Sequence, residues 1–404
     1  MTEDRLRFWF KAGLFSLATV ALYGLIMRYK IAFDFPFFEQ RNLLHAHSHF
    51  AFGGWVTHML YCGLAGLMRP YVSGRTMRKY EILIGLNLLS SFGMLIAFTM
   101  QGYKAVSIAF STFGIILAVL FAIRFIKDRK SLPKGYQALP WAVMALVLHV
   151  LSSAGPFMLA YMMSTKHINA DWYLGSVYYY LHFQYNGWFF FGSVALLAGR
   201  QDFPGLGRYF RIVAVTVFPT LFLSLLWIRI PGWLYWITVA AGAVQLLAWI
   251  ILLLENRQAL KELPQMLFHS GWAIWLFYAA IAALSIKFLL QAISVIPALS
   301  QAVFGIRPIV IAYLHLVLLG VYSLFLIGYL KVCGYLADSK GAKIAAFGFL
   351  AGVFLNELLL AVQGGAAFSY IPVPFIHELL TAAALLLFLS AAGLWLTQLG
   401  RRLS

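Results

Sequence analysis

Twelve stretches of this sequence stay apolar for about the length a helix needs to cross a bilayer, roughly 20 residues. They fall near 8–28, 43–68, 81–101, 104–125, 138–163, 172–198, 209–228, 231–254, 270–291, 307–331, 343–363 and 373–398. A chain with mean hydropathy +0.84 and only 11% charged residues cannot hide that much apolar surface in one water-soluble core. The sequence therefore predicts an all-α membrane protein of twelve transmembrane helices, with the lipid bilayer as its solvent.

A net charge of +17 would point a soluble protein toward nucleic acid, but here the basic residues stand between the apolar runs and read as membrane topology. No nucleic-acid partner is expected. Arg5 and Arg7, Arg69 to Lys79, Lys127 to Lys134, Arg200 and Arg208, Arg257 and Lys261, Lys340 and Lys343, and Arg401 and Arg402 all fall on one side. That bias puts both termini in the cytoplasm and the chain in a bacterial-type inner membrane, although Arg28, Lys30 and Arg41 blur the contrast at the outer face. The acidic opening Met1-Thr2-Glu3-Asp4, followed by a run of full helix length, does not read as a cleavable signal peptide. Cys62 and Cys333 have no metal-type spacing and read as free thiols.

The second, sixth and tenth runs share a mark. His49, His182 and His315 lie 133 residues apart in each step (182 minus 49, 315 minus 182), and each is followed five residues later by glycine: Gly54, Gly187 and Gly320. The period is far too long for a solenoid repeat, so each unit is a four-helix group. The units are 1–133, 134–266 and 267–404, predicted to pack as three pseudo-symmetric four-helix arcs in a single transmembrane domain.

In the predicted orientation all three histidines sit about two turns in from the outer ends of their helices. His45 and His49, four residues apart, share a helix face, while His47 points elsewhere. Intramembrane ionisable groups are costly and usually functional, and imidazole suits haem iron, copper and zinc. A bis-histidine haem needs two rings facing each other from different helices with small residues nearby. His49 and His315, above Gly54 and Gly320, meet that description, with His45 and His47 as the alternatives on the second helix. For the isolated His149 and His269, hydrogen-bonded packing is the plainer role.

Twelve spans in three arcs, with histidines near the outer ends of the second, sixth and tenth, resemble the catalytic subunit of the haem-copper oxidase and nitric oxide reductase superfamily. The stretch from His315 to Tyr322 is similar to the reductase segment around its low-spin haem ligand, and Phe50-Ala51-Phe52-Gly53-Gly54 resembles the second helix of cbb3-type oxidases. The resemblance implies a low-spin haem b held by His315 and by His49, His45 or His47. It also implies that His182 is a ligand of the second metal. Cytochrome c or a quinol would be the electron donor, with other respiratory subunits as partners.

The sequence departs from that family at the second site. Tyr313 stands where the ligand of the high-spin haem would be, and Val215 to Thr220 replaces the seventh-helix histidine pair. These losses argue against a second haem or copper and against ordinary oxygen reduction. They leave an electron-transfer or nitric-oxide-related protein with a degenerate binuclear site. Tyrosinate ligates ferric haem in catalase, which makes Tyr313 a candidate replacement ligand. Tyr180 is its repeat equivalent, and His47 the equivalent of both.

Glu357, in the eleventh run, is the candidate mid-membrane proton carrier, and Lys287 and Arg307 are candidates to meet haem propionates. The rival reading is a non-redox transporter, sensor or assembly factor using the central pocket for a small ligand or metal. A transporter is expected to carry Gly/Pro-broken spans, and the runs show no such pair. A purely structural respiratory subunit is a third reading.

Overall fold

The computed structural model describes residues 1–258, 261, 271–304 and 306–399; His269, Arg401 and Arg402 lie outside the described residues. Helices make up this part of the chain, and no strand occurs among the described residues. Nine described helices are long and apolar enough to cross a membrane, ten if one bent pair counts as a single span.

The chain runs through α1 (Glu3–Ala32), then α2 (Gln40–Phe50) and α3 (His58–Met68) joined by a π-helical segment, Ala51–Thr57. Next come α4 (Gly74–Gln101), α5 (Ala105–Asp128), α6 (Ala138–Ser152) and α7 (Ala154–Thr165). A second π segment, Phe183–Trp188, joins α8 (Ala170–His182) to α9 (Phe189–Ala198). Then follow α10 (Leu206–Thr216), α11 (Gly232–Glu255), α12 (Ala273–Ile293) and the short α13 (Pro297–Phe304). The third π segment, Leu316–Ser323, joins α14 (Arg307–His315) to α15 (Leu324–Val332), and α16 (Lys340–Phe368) and α17 (Ile376–Leu396) complete the chain.

Successive rods pack on one another, and α17 packs along α1, so the bundle closes on itself. Outward faces carry apolar side chains at helical spacing, such as Ile82, Leu89 and Ile96 on α4, and Leu247, Ile251 and Leu254 on α11. Such stripes suit contact with lipid.

One expected span is bent sharply at a proline, and a second has a one-residue irregularity beside one. The run at 209–228 is not one straight helix: α10 meets the 3₁₀ turn Pro219–Leu225 at 53°, because Pro219 has no N–H to give the preceding turn. The run at 138–163 breaks at Ser153, just before Gly155 and Pro156, where Ser152 and Ser153 donate their hydroxyls to His149 O and Val150 O. Among the described residues one span is therefore sharply bent at a proline, and no second one is.

The histidine repeat is a repeat of structure. His49 lies one residue before the first π segment's flanking Phe50, and His182 and His315 immediately precede the other two. A π turn leaves backbone groups out of α register, and side chains take some of them up. Asn87 Nδ2 donates to Gly53 O at 3.1 Å, and Ser323 Oγ donates to Leu318 O at 2.8 Å, five residues back.

The three π segments are tied to one another in a cycle. Trp55 donates its indole N–H to Ser323 Oγ (2.8 Å), Trp188 donates to Thr57 Oγ1 (2.9 Å), and the Tyr322 hydroxyl donates to Tyr185 O. Residues 55 and 188 are repeat equivalents, as are 57 and 323. The first unit therefore reaches the third and the second reaches the first by the same indole-to-hydroxyl bond. At the remaining corner Val321 cannot donate and Phe190 cannot accept, and the tyrosine-to-carbonyl bond closes the ring instead.

Candidate functional site

Ten histidines in a largely apolar bundle must each place two ring nitrogens, and how they do so separates ligand candidates from packing residues. His182 has both nitrogens committed: Asn186 Nδ2 donates to Nδ1 at 3.0 Å, and Nε2–H donates to Val217 O at 2.7 Å. The resemblance implies a second-metal ligand here; in the fold both ring nitrogens are hydrogen-bonded within the core. His149 is likewise filled. Gln184 Nε2 donates to its Nδ1 (3.0 Å), its Nε2–H faces Tyr61 Oη (3.0 Å), and its ring stacks on Trp188.

His49 is also turned away from the expected partner. Its ring stacks on Phe98 at 4.5 Å and its Nε2 lies 3.1 Å from the Tyr103 hydroxyl, toward the turn that ends α4. The α2 imidazole that senses His315 is His47. The two imidazoles stand within electrostatic reach of each other, and each also senses Arg28. Helical geometry explains the difference, since His47 is rotated about 200° from both His45 and His49.

His47 and His315 share a bonding pattern. His47 donates Nδ1–H to Val20 O (3.1 Å) on α1, and His315 donates Nδ1–H to Ile311 O (2.8 Å) one turn back. Neither Nε2 has a hydrogen-bond partner among the described residues. A backbone carbonyl on one nitrogen fixes tautomer and ring orientation and leaves the other as a lone pair, the usual arrangement around a metal-ligating imidazole. Both rings lie deep in the bundle yet keep accessible surface, and no residue of Ala21–Arg28 or Ile306–Leu316 is fully buried. The inner continuation, Leu324–Lys331, is buried throughout. Around the two rings α1 and α14 thus leave partly accessible space.

That space is flanked by charge. Arg28 is within electrostatic reach of Arg307 and Glu357, and Asn356 Nδ2 donates to Glu357 Oε1 at 3.0 Å. Two guanidiniums with one carboxylate leave a net positive rim beside the imidazoles, suited to the carboxylates of a ligand. Glu357 belongs to this rim and not to a separate relay. Lys287 lies elsewhere: it is buried over the Phe288 ring at 4.3 Å, in a small cavity with Asn186 and Gln245. Of Lys287 and Arg307, only Arg307 lies on this rim, beside Arg28.

Gly54 and Gly320 do not make room at the rings. A Cβ on Gly54 would strike the Phe50 ring at 2.6 Å, one on Gly187 would meet Leu148 Cβ at 2.9 Å, and one on Gly320 would meet Ala283 Cβ at 3.1 Å. The repeated glycine serves close packing around the π segments. The glycine beside an imidazole is Gly24, where a Cβ would stand 3.4 Å from His47 Cε1. Tyr313 packs edge-on to Tyr185 at 6.1 Å, and Tyr180 stacks on Phe52, so these repeat equivalents occupy separate places. No cluster of three or more His, Cys, Asp or Glu suited to a metal occurs among the described residues.

Arg28, Gly24 and the Val20 carbonyl were not visible as site components in the sequence, because they come from α1, which has no repeated histidine. The matches of Trp55 with Trp188 and of Thr57 with Ser323 follow from the same 133-residue offset. No protein-family model matches the chain, and no curated protein matches it.

Proposed function

We propose that the protein is an integral-membrane b-type haem protein, related to the haem-copper oxidase and nitric oxide reductase core, with His47 and His315 as the axial pair. The observation that carries this reading is the shared state of the two rings: each gives Nδ1–H to a backbone carbonyl and keeps Nε2 free. A low-spin haem bound by two imidazoles supplies one-electron transfer and presents no open coordination position. Around it, the Val20 and Ile311 carbonyls hold the ring planes, Gly24 admits the His47 ring, and Arg28 and Arg307 neutralise carboxylates at the outer rim. His182, with both nitrogens engaged, and Tyr313, packed on Tyr185, support a core without a second redox metal.

The two remaining histidine-bearing rods, Gln40–Met68 and Ala170–Ala198, complete twelve spans in three arcs under this reading. The distribution of Lys and Arg supports an inner-membrane placement with cytoplasmic termini. Electron donor and respiratory partners follow from the same proposal, as cytochrome c or a quinol.

The test is the optical and electron paramagnetic resonance spectrum of the purified protein and three variants. His47→Ala and His315→Ala each abolish the bis-imidazole low-spin signal, and His49→Ala retains it. A folded parent protein without a Soret band refutes the haem, and loss of the signal in the His49 variant with retention in the His47 variant refutes the assignment of ligands.

A further inference from the structure

The face of α2 opposite His47 carries a second pair of imidazoles that the proposed haem does not use. His45 and His49 are four residues apart on one helix, which places their Cβ atoms roughly 5–6 Å apart on a shared face. Both rings pack on Tyr103: His45 meets it edge-on at 4.9 Å and 89°, and His49 at 5.9 Å and 66°. The two imidazoles are also within electrostatic reach of each other. No hydrogen bond engages either nitrogen of His45 among the described residues, and the one side-chain hydrogen bond of His49 among them is the 3.1 Å approach of Nε2 to Tyr103 Oη, its ring being stacked on Phe98.

That separation has a second meaning. Two ligands about 2.0 Å from a tetrahedral ion stand roughly 3.3 Å apart along the edge of the coordination polyhedron. The His49 nitrogen and the Tyr103 oxygen already lie near that spacing, with His45 one helical turn away on the same side. Two imidazoles and a phenol oxygen match the donor preference of copper(II) and zinc(II), and two histidines at this spacing on a helix are a recurrent zinc-holding arrangement. Tyr103 is 42% exposed, so the group reaches the protein surface at the end of α4. Arg41, one turn before His45, is exposed, and solvent screens its charge.

We propose that His45, His49 and Tyr103 form a site for one divalent d-block ion, copper(II) or zinc(II), on the outer rim of the first repeat, separate from the His47–His315 pair. The remaining positions on the ion are filled by water. Binding displaces the contact between His49 and Tyr103, and the phenol proton is released to solvent as its oxygen joins the ion.

The test uses the full-length protein without a polyhistidine tag, washed with chelator in detergent and titrated with copper(II) alone. One equivalent binds, with nitrogen hyperfine structure from two imidazoles in the electron paramagnetic resonance spectrum, and zinc(II) competes for it. His45→Asn, His49→Asn and Tyr103→Phe each weaken binding tenfold or more, while His47→Ala leaves it unchanged. Binding that is equally tight in the His45→Asn/His49→Asn double variant overturns the site, as does no binding above that of the double variant. Tight binding by Tyr103→Phe overturns the three-ligand assignment. Because His47→Ala abolishes the proposed haem signal and spares copper binding, failure of either reading is distinguishable from failure of the other.

Discussion

Replacing Trp188 with phenylalanine isolates one corner of the hydrogen-bonded cycle that joins the repeats. Trp188 is fully buried, and its indole N–H is the only hydrogen-bond partner of the Thr57 hydroxyl among the described residues, itself 4% exposed. The substitution removes a bond with a net worth of about 1 kcal/mol and leaves Thr57 Oγ1 stranded, which costs roughly 1–3 kcal/mol. The smaller ring also opens a void beside His149 and Tyr61, adding about 1–2 kcal/mol. The total loss is on the order of 2–5 kcal/mol, read from reversible unfolding in mixed micelles followed by far-ultraviolet circular dichroism. Thr57→Val alone leaves the indole N–H unpaired and costs about 1–3 kcal/mol, but the double variant removes both polar partners and loses less than the two single losses added together. Strictly additive losses, or a Trp188→Phe loss below about 0.5 kcal/mol, would show that the bond contributes nothing and that packing alone holds the repeats together.

Two further outcomes follow from the same geometry. Gly187→Ala puts a methyl 2.9 Å from Leu148 Cβ, an atom too near its backbone to swing aside, so the variant unfolds about 1–3 kcal/mol more easily in the same assay. In the loop after α15, Lys331 and Trp272 hold the Asp338 carboxyl below its usual range. A carboxylate depressed on folding stabilises above its unfolded pKa and loses that contribution as pH falls through the folded value. The parent protein therefore loses stability on acidification from pH 4 downward by more than Asp338→Asn does, and parallel unfolding curves for the two would refute the pairing.

Helix positions were legible in the sequence because bilayer-length apolar runs leave little else to fold into, and the 133-residue offset marks the three helices that carry π segments, though not the π turns themselves. Facing was harder. A seven-residue π segment changes the rotation between the inner and outer halves of a rod, so periodicity alone could not say which of His45, His47 and His49 looks inward. Composition ranked His182 with the other two marked histidines, but Asn186, four residues on, and the Val217 carbonyl, freed near the break at Pro219, fill its nitrogens. Arg28 read as a topological irregularity because charge counting assigns sides, whereas only packing brings it to Arg307 and Glu357.

The bundle has a fixed floor and three adjustable heads. Within the π segments, indole, hydroxyl and carbonyl contacts clamp the units together. Above them, gaining or losing one residue in a widened turn would pivot everything outward of it by about 100° while the clamp stays shut. Along Gln40–Phe50, where imidazoles occur at every second position, such an indexing step presents a different ring to the interior. Such a step would change the inward-facing imidazole and leave the contacts between the repeats as they are.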